Sequence, residues 1–82
     1  MKRHTQKEWT ENEDNNWGRF VYRNKWFIAL VQRYGDIYDA KVIRRNKRNP
    51  ELEMFKENLT DLDKAKELCE KKIDTLLRFA SY

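Results

Sequence analysis

The chain has 82 residues, 39% of them hydrophobic and 39% charged, with a formal net charge of +4. So little apolar material fills one small core between two layers of secondary structure, and it excludes a deep catalytic cleft between domains. It also excludes a membrane-spanning helix, because the longest apolar run, Trp26 to Val31, is far short of the roughly 20 residues a span needs.

Residues 1–16 are polar and without periodicity, and Trp9 is their one large apolar group. They read as a mobile N-terminal arm able to dock through Trp9. Met1-Lys2-Arg3-His4 leads into polar residues rather than an apolar leader, and a single cysteine cannot form an internal disulfide. The expected setting is therefore the cytoplasm. Residues 17–82 read as one α+β domain.

From Trp17 the pattern has period two. Trp17–Tyr22, Trp26–Arg33 and Ile37–Arg45 are rich in aromatic and β-branched residues and read as three strands of an antiparallel meander. Asn24 and Gly35 supply the backbone freedom that short hairpins need. A two-residue Gly35-Asp36 loop sets Tyr34 opposite Ile37, Val31 opposite Ala40 and Ala29 opposite Val42. A loop at Asn24-Lys25 sets Tyr22 opposite Phe27 and Phe20 opposite Ala29. Alternation then sorts side chains onto two faces. Phe20, Tyr22, Phe27, Ala29, Val31, Tyr38, Ala40 and Val42 share one; Trp17, Arg19, Val21, Trp26, Ile28, Leu30, Gln32, Ile37, Asp39, Lys41, Ile43 and Arg45 share the other. The alanines at the centre of the first face leave room for a helix.

Asn46–Asn58 reads as a polar connection containing Pro50, with a short extended piece at Met54-Phe55. A helix follows, with Thr60 as its expected N-cap and Asp61 and Asp63 at the positive end of its dipole. Leu62, Ala65, Cys69, Ile73, Leu76 and Ala80 recur at helical spacing along one stripe, widened by Leu68, Leu77 and Phe79. Lys64, Glu67, Lys71 and Arg78 lie opposite. The expected architecture is a three-stranded antiparallel meander with one C-terminal helix packed on the alanine-bearing face.

Catalytic constellations are not apparent. His4 is the single histidine and has no sheltered partner. Cys69 lies on the buried stripe, where a nucleophilic thiol would need exposure and a basic neighbour. Asp61 with Asp63 fits helix-start chemistry, and Glu51 with Glu53 fits loop solvation. No Cys/His spacing suits zinc, and Gly18 and Gly35 stand apart rather than in a phosphate loop. An enzyme, a metal and a cofactor are not expected.

The charge is unevenly placed. Residues 17–50 carry nine basic and two acidic groups, whereas the segments before and after them are mildly acidic. One reading is that these cations solubilise an exposed sheet and block edge pairing. The other is that a clustered positive field attracts a polyanion. A single helix shields one side of a sheet, so Trp17, Trp26, Ile28, Leu30, Ile37 and Ile43 would form an exposed apolar patch, of the kind that marks an interaction site. The arm could fold over it, two copies could pair through it as a homodimer, or a partner macromolecule could bind it. Arg19, Lys25, Lys41, Arg45, Lys47 and Arg48 on or beside that face suit nucleic acid, with cations on phosphates and Trp26 on a base. Ile28, Leu30, Ile37 and Ile43 suit a protein surface.

The second strand, Lys25-Trp26-Phe27-Ile28-Ala29-Leu30-Val31, has the aromatic-x-Ala-x-aliphatic pattern at Phe27, Ala29 and Val31. A glycine turn at Gly35, Phe55 and a helix of the type Asp63-Lys64-Ala65-Lys66 follow. Over roughly residues 17–74 this resembles the DNA-binding domain of plant ethylene-response factors and the arm-site-binding N-terminal domain of phage integrases. The resemblance implies DNA contact by the sheet face turned away from the helix, with Arg19, Trp26, Lys41 and Arg45 at the groove. In style the short, Lys-, Asn- and Glu-rich, glycine-poor chain is similar to accessory proteins of bacteriophages and mobile elements. Such proteins bind nucleic acid or block a host protein, for example a restriction or CRISPR complex. The expected partner is thus nucleic acid or a nucleic-acid-associated host protein.

Overall fold

Two tight turns organise the sheet. In the computed structural model, which describes residues 8–14, 16–46 and 48–80, Gly35 adopts φ +65° in the Gly35-Asp36 turn. That conformation costs glycine little and strains a residue with a Cβ. The turn joins β3 (Phe27–Tyr34) to β4 (Ile37–Arg44), and the register sets Tyr34 opposite Ile37, Val31 opposite Ala40 and Ala29 opposite Val42, as expected. The preceding turn joins β2 (Trp17–Arg23) to β3. Here the Asn24 side-chain Oδ1 accepts from the amides of Trp26 and Phe27, each at 2.8 Å, and the Asn24 amide donates to the Phe27 carbonyl. The two loop residues are therefore Lys25 and Trp26, not Asn24 and Lys25. This corrects the expected register: Tyr22 faces Ala29 and Phe20 faces Val31. A one-residue move of the loop shifts every partner by two, so each side chain keeps its face.

The sheet has five strands, not three, in the order β1-β2-β3-β4-β5, all antiparallel. The first addition is β1 (Thr10–Glu13), which pairs with β2 from within the segment read as a mobile arm. The second is β5 (Glu51–Leu59), nine residues in the polar connection, of which only Met54-Phe55 reads as extended from the sequence. Pro50, which has no amide hydrogen to donate, precedes β5. Two register irregularities interrupt the pairing of β5 with β4, and Asn58 takes φ 63° near one of them. Asparagine is among the few residues that tolerate this region.

Helix α1 (Leu62–Ala80) packs on the face bearing Ala29 and Ala40, against β3, β4 and β5. Its cap is Asp61 rather than Thr60: the Asp61 carboxylate accepts from the amides of Asp63 (2.9 Å) and Lys64 (3.3 Å), and its carbonyl accepts from Ala65. Phe20, Phe27, Ala29, Val31, Ala40 and Val42 from the sheet close on Ala65, Cys69 and Ile73 from the helix, and all are buried. Trp9, Tyr22, Tyr38, Met54, Leu59, Leu62, Leu76 and Leu77 pack around this core, whereas Phe79 stays 65% exposed. Among the described residues, every buried side-chain nitrogen and oxygen has a hydrogen-bond partner. No described helix is long and apolar enough to cross a membrane.

One polar cluster ties β1 to the helix. Lys66 and Glu70 are both buried on the side of α1 facing the N-terminal strand. The Lys66 ammonium lies 3.0 Å from Glu11 Oε2 and over the rings of Trp9 (5.7 Å) and Phe20 (5.2 Å). Trp9 Nε1 donates to Glu70 Oε2 at 2.8 Å, and its ring tilts against Tyr22. Trp9 thus sits on the helix side of the sheet.

Candidate functional site

The opposite face of the sheet meets no other described element, and the register arranges it in rows. Trp17, Tyr34 and Ile37 form the row nearest the Gly35 turn. Asn12, Arg19, Gln32 and Asp39 form the next. Thr10, Val21, Leu30, Lys41 and Phe55 form the third, and Arg23, Ile28, Ile43 and Leu52 the fourth. Successive rows lie two residues, about 7 Å, apart. Beyond the fourth row come the Lys25-Trp26 turn and Arg45, whose amide donates to the Trp26 carbonyl.

The central strand β3 supplies Ile28, Leu30, Gln32 and Tyr34 to this face and no charge. Cations flank it on both sides: Arg19 and Arg23 from β2, Lys41 and Arg45 from β4 and its extension. Asp39 is the one carboxylate on the four rows, and its Oδ1 accepts from the Asn58 amide at 3.4 Å. Each of three cations rests on an aromatic ring: Arg19 on Trp17 (5.8 Å), Lys25 on Trp26 (5.6 Å) and Lys41 on Phe55 (5.9 Å). Tyr34 keeps its hydroxyl on Gln32.

The residues expected on this patch are only partly united. Trp17 and Ile37, each 37% exposed, lie at one end. Ile28, Leu30 and Ile43 lie toward the other and are half-buried by their neighbours. Trp26, 51% exposed, belongs to the hairpin tip rather than to a strand, because the loop is displaced by one residue. Arg48 is exposed in the β4–β5 connection, off the sheet. Lys47 and His4 lie outside the described residues.

Six members were not expected: Thr10 and Asn12 of β1, and Arg23, Tyr34, Leu52 and Phe55. Tyr34 reads as a turn residue and Arg23 as part of the first turn. Leu52 and Phe55 belong to β5, whose glutamates and lysine hide the extended pattern. The sequence shows the extended piece at Met54-Phe55, and beyond it only the lack of glycine and proline across Glu51–Leu59.

Cys69 lies on the other side of the sheet, where burial, and after it the neighbouring Glu70 charge, push its thiol up from 9.0 to about 12. Among the described residues, no three His, Cys, Asp or Glu side chains gather as a metal site would require. Comparison with protein families, with curated proteins and with solved structures finds no match.

Proposed function

We propose that the protein binds single-stranded nucleic acid across the uncovered face of its sheet. The observation that carries this reading is the pairing of cations with exposed rings on that face, Arg19 on Trp17 and Lys41 on Phe55. An exposed cation–ring contact contributes about 0.5–1 kcal/mol. A base stacked on the same ring contributes about 1–3 kcal/mol. Stacking therefore wins, and the displaced cation is freed beside the phosphate of the incoming nucleotide. The aliphatic rows between the cations offer sequence-tolerant contact to sugars and base faces.

Geometry favours a single strand over a duplex groove. Five strands span four inter-strand spacings, about 19 Å, against a major groove of about 12 Å. Strands β2, β3 and β4 are hemmed in by β1 and β5. The groove insertion implied by the resemblance to three-stranded DNA-binding domains would have to accommodate those flanking strands.

The test is fluorescence anisotropy with labelled single-stranded DNA and RNA at rising salt. If Arg19, Arg23, Lys41 and Arg45 each neutralise one phosphate, log K falls with log salt at a slope of about −2.8, or roughly 50-fold between 50 and 200 mM. Replacing Arg19 and Lys41 by Gln should halve the slope. Trp17→Ala should weaken binding by about 5- to 150-fold. Absence of any complex at 50 mM salt refutes the proposal.

A second reading follows from Leu52, 61% exposed beside Ile43. That aliphatic end fits a protein surface, such as a component of a host nucleic-acid-processing or defence complex. Under this reading Leu52→Asp abolishes capture of that partner, and binding is insensitive to salt.

A further inference from the structure

We propose that the depression at the Lys25-Trp26 end of the sheet anchors the phosphorylated terminus of a bound strand. This rests on the single-strand reading above and adds to it the feature of the strand that is recognised.

The depression, about 430 Å³, is lined by Lys25, Ile28, Ile43, Arg45, Asn46 and Pro50. That volume lies toward the small end of ligand pockets. Its floor is apolar: Ile28 and Ile43 are register partners, side by side. Its polar wall is cationic, and no carboxylate lines it. Arg45 is held in place, with Nη1 donating to the Asn24 carbonyl at 2.7 Å and the backbone amide donating to Trp26. A guanidinium has five N–H groups, so others remain for an anion. The Asn24 side chain fixes the turn itself, so Lys25 and the Trp26 ring are presented on a preorganised support. The wall, the floor and the neighbouring ring match the three parts of a nucleotide: phosphate, sugar and base.

Two features point to a terminus rather than to an internal nucleotide. The rows that run from Trp17 end at this depression: Ile28 and Ile43 of the last row form its floor, and Asn46 and Pro50 line it beyond them. An internal phosphodiester carries one negative charge, whereas a terminal phosphate monoester carries about −1.5 to −2 at pH 7. The pair Lys25 and Arg45 matches the monoester.

The experiment compares, by anisotropy with the full chain, one eight-nucleotide sequence bearing a 5′-phosphate, a 3′-phosphate or hydroxyls at both ends. We expect one phosphorylated form to bind about tenfold tighter than the hydroxyl form. Arg45→Gln should bring that ratio to about one, and so should Lys25→Gln, whose ammonium is exposed and supports no core contact. Equal affinity of all three forms overturns the terminus assignment and leaves the single-strand reading intact. No binding of any form overturns both. A nucleoside monophosphate that competes at the same concentration as the phosphorylated strand also overturns the assignment, because the depression would then serve free nucleotides.

Discussion

Trp9→Phe isolates one bond that decides where the folded domain begins. The substitution keeps an aromatic ring against Tyr22 and beneath Lys66, and removes the indole N–H that donates to Glu70 at 2.8 Å together with the rest of the five-membered ring, a packing loss common to both backgrounds below. Glu70 is 6% exposed, so water does not readily replace the lost donor. A hydrogen bond to a charged group contributes about 1.5–3 kcal/mol, and 2 kcal/mol is a reasonable centre. The stability of a domain this size is roughly 4–12 kcal/mol, so the loss is a substantial part of the whole. In urea, with a slope near 1 kcal/mol/M, the unfolding midpoint should fall by about 2 M with the slope unchanged. In a Glu70→Gln background the acceptor is neutral, and charge-assisted bonds are roughly twice as strong as neutral ones. The same Trp9→Phe change should then cost about 1 kcal/mol. A Trp9→Phe midpoint within about 0.3 M of the parent protein in both backgrounds would refute the reasoning, and β1 would be a segment that rests on the sheet without contributing to its stability.

The other predictions concern the core. The raised Cys69 pKa means that the folded protein holds its thiol proton more tightly than the unfolded chain does. The stability this contributes is fully present below pH 9.0 and is lost as pH rises toward about 12. Relative to Cys69→Ala, the parent protein should lose about 1 kcal/mol by pH 10, and folded Cys69 should react with a thiol reagent at pH 8 on the order of 1,000-fold more slowly than in urea. Equal reactivity in the two states would mean the thiol is open to solvent. Ile73→Ala removes a fully buried side chain between helix and sheet and should cost about 2–5 kcal/mol in chemical unfolding. Phe79→Ala, on the same helix but exposed, should stay within about 0.5 kcal/mol of the parent. Similar costs for the two would place the helix in a different orientation on the sheet.

The contrast between what the sequence reveals and what it hides has identifiable causes. Face assignment is robust because side-chain alternation survives a misplaced loop. The Asn24 turn opens one residue later than its composition suggests, yet Phe20, Phe27, Ala29 and Val31 are buried together as the alternation requires. Trp26 is the exception, since a loop shift changes the status of the loop residues themselves. Strand β1, and β5 outside Met54-Phe55, escape notice for a different reason. Thr10–Glu13 is polar throughout, and Glu51–Leu59 is dominated by residues that strands disfavour; both lie at the edges of the sheet, where pairing on one side suffices. The irregularities in β5 also break the period that would have linked Leu52, Met54 and Phe55.

The edges also bear on the meaning of the basic middle segment. Cations that guard a sheet against aggregation belong on its outer strands, where unpaired backbone groups face solvent. Here the distribution is reversed. Glu11 and Glu13 lie on β1, and Glu51, Glu53 and Glu57 with the single cation Lys56 on β5, while Arg19, Arg23 and Lys41 lie on interior strands β2 and β4, which carry one carboxylate, Asp39. An interior strand has no free edge to protect. Solubility alone is a poor reason for the placement as well, because the cations alternate with Val21, Leu30, Ile28 and Ile43 instead of replacing them. An antiparallel sheet with one solvated face ordinarily carries polar side chains at those positions. Under the proposed single-strand reading, an aliphatic centre line bracketed by positive charge and capped by exposed rings suits a flexible polyanion with flat, weakly polar bases. An acidic protein surface would call for the cations but not for the rings stacked beneath them.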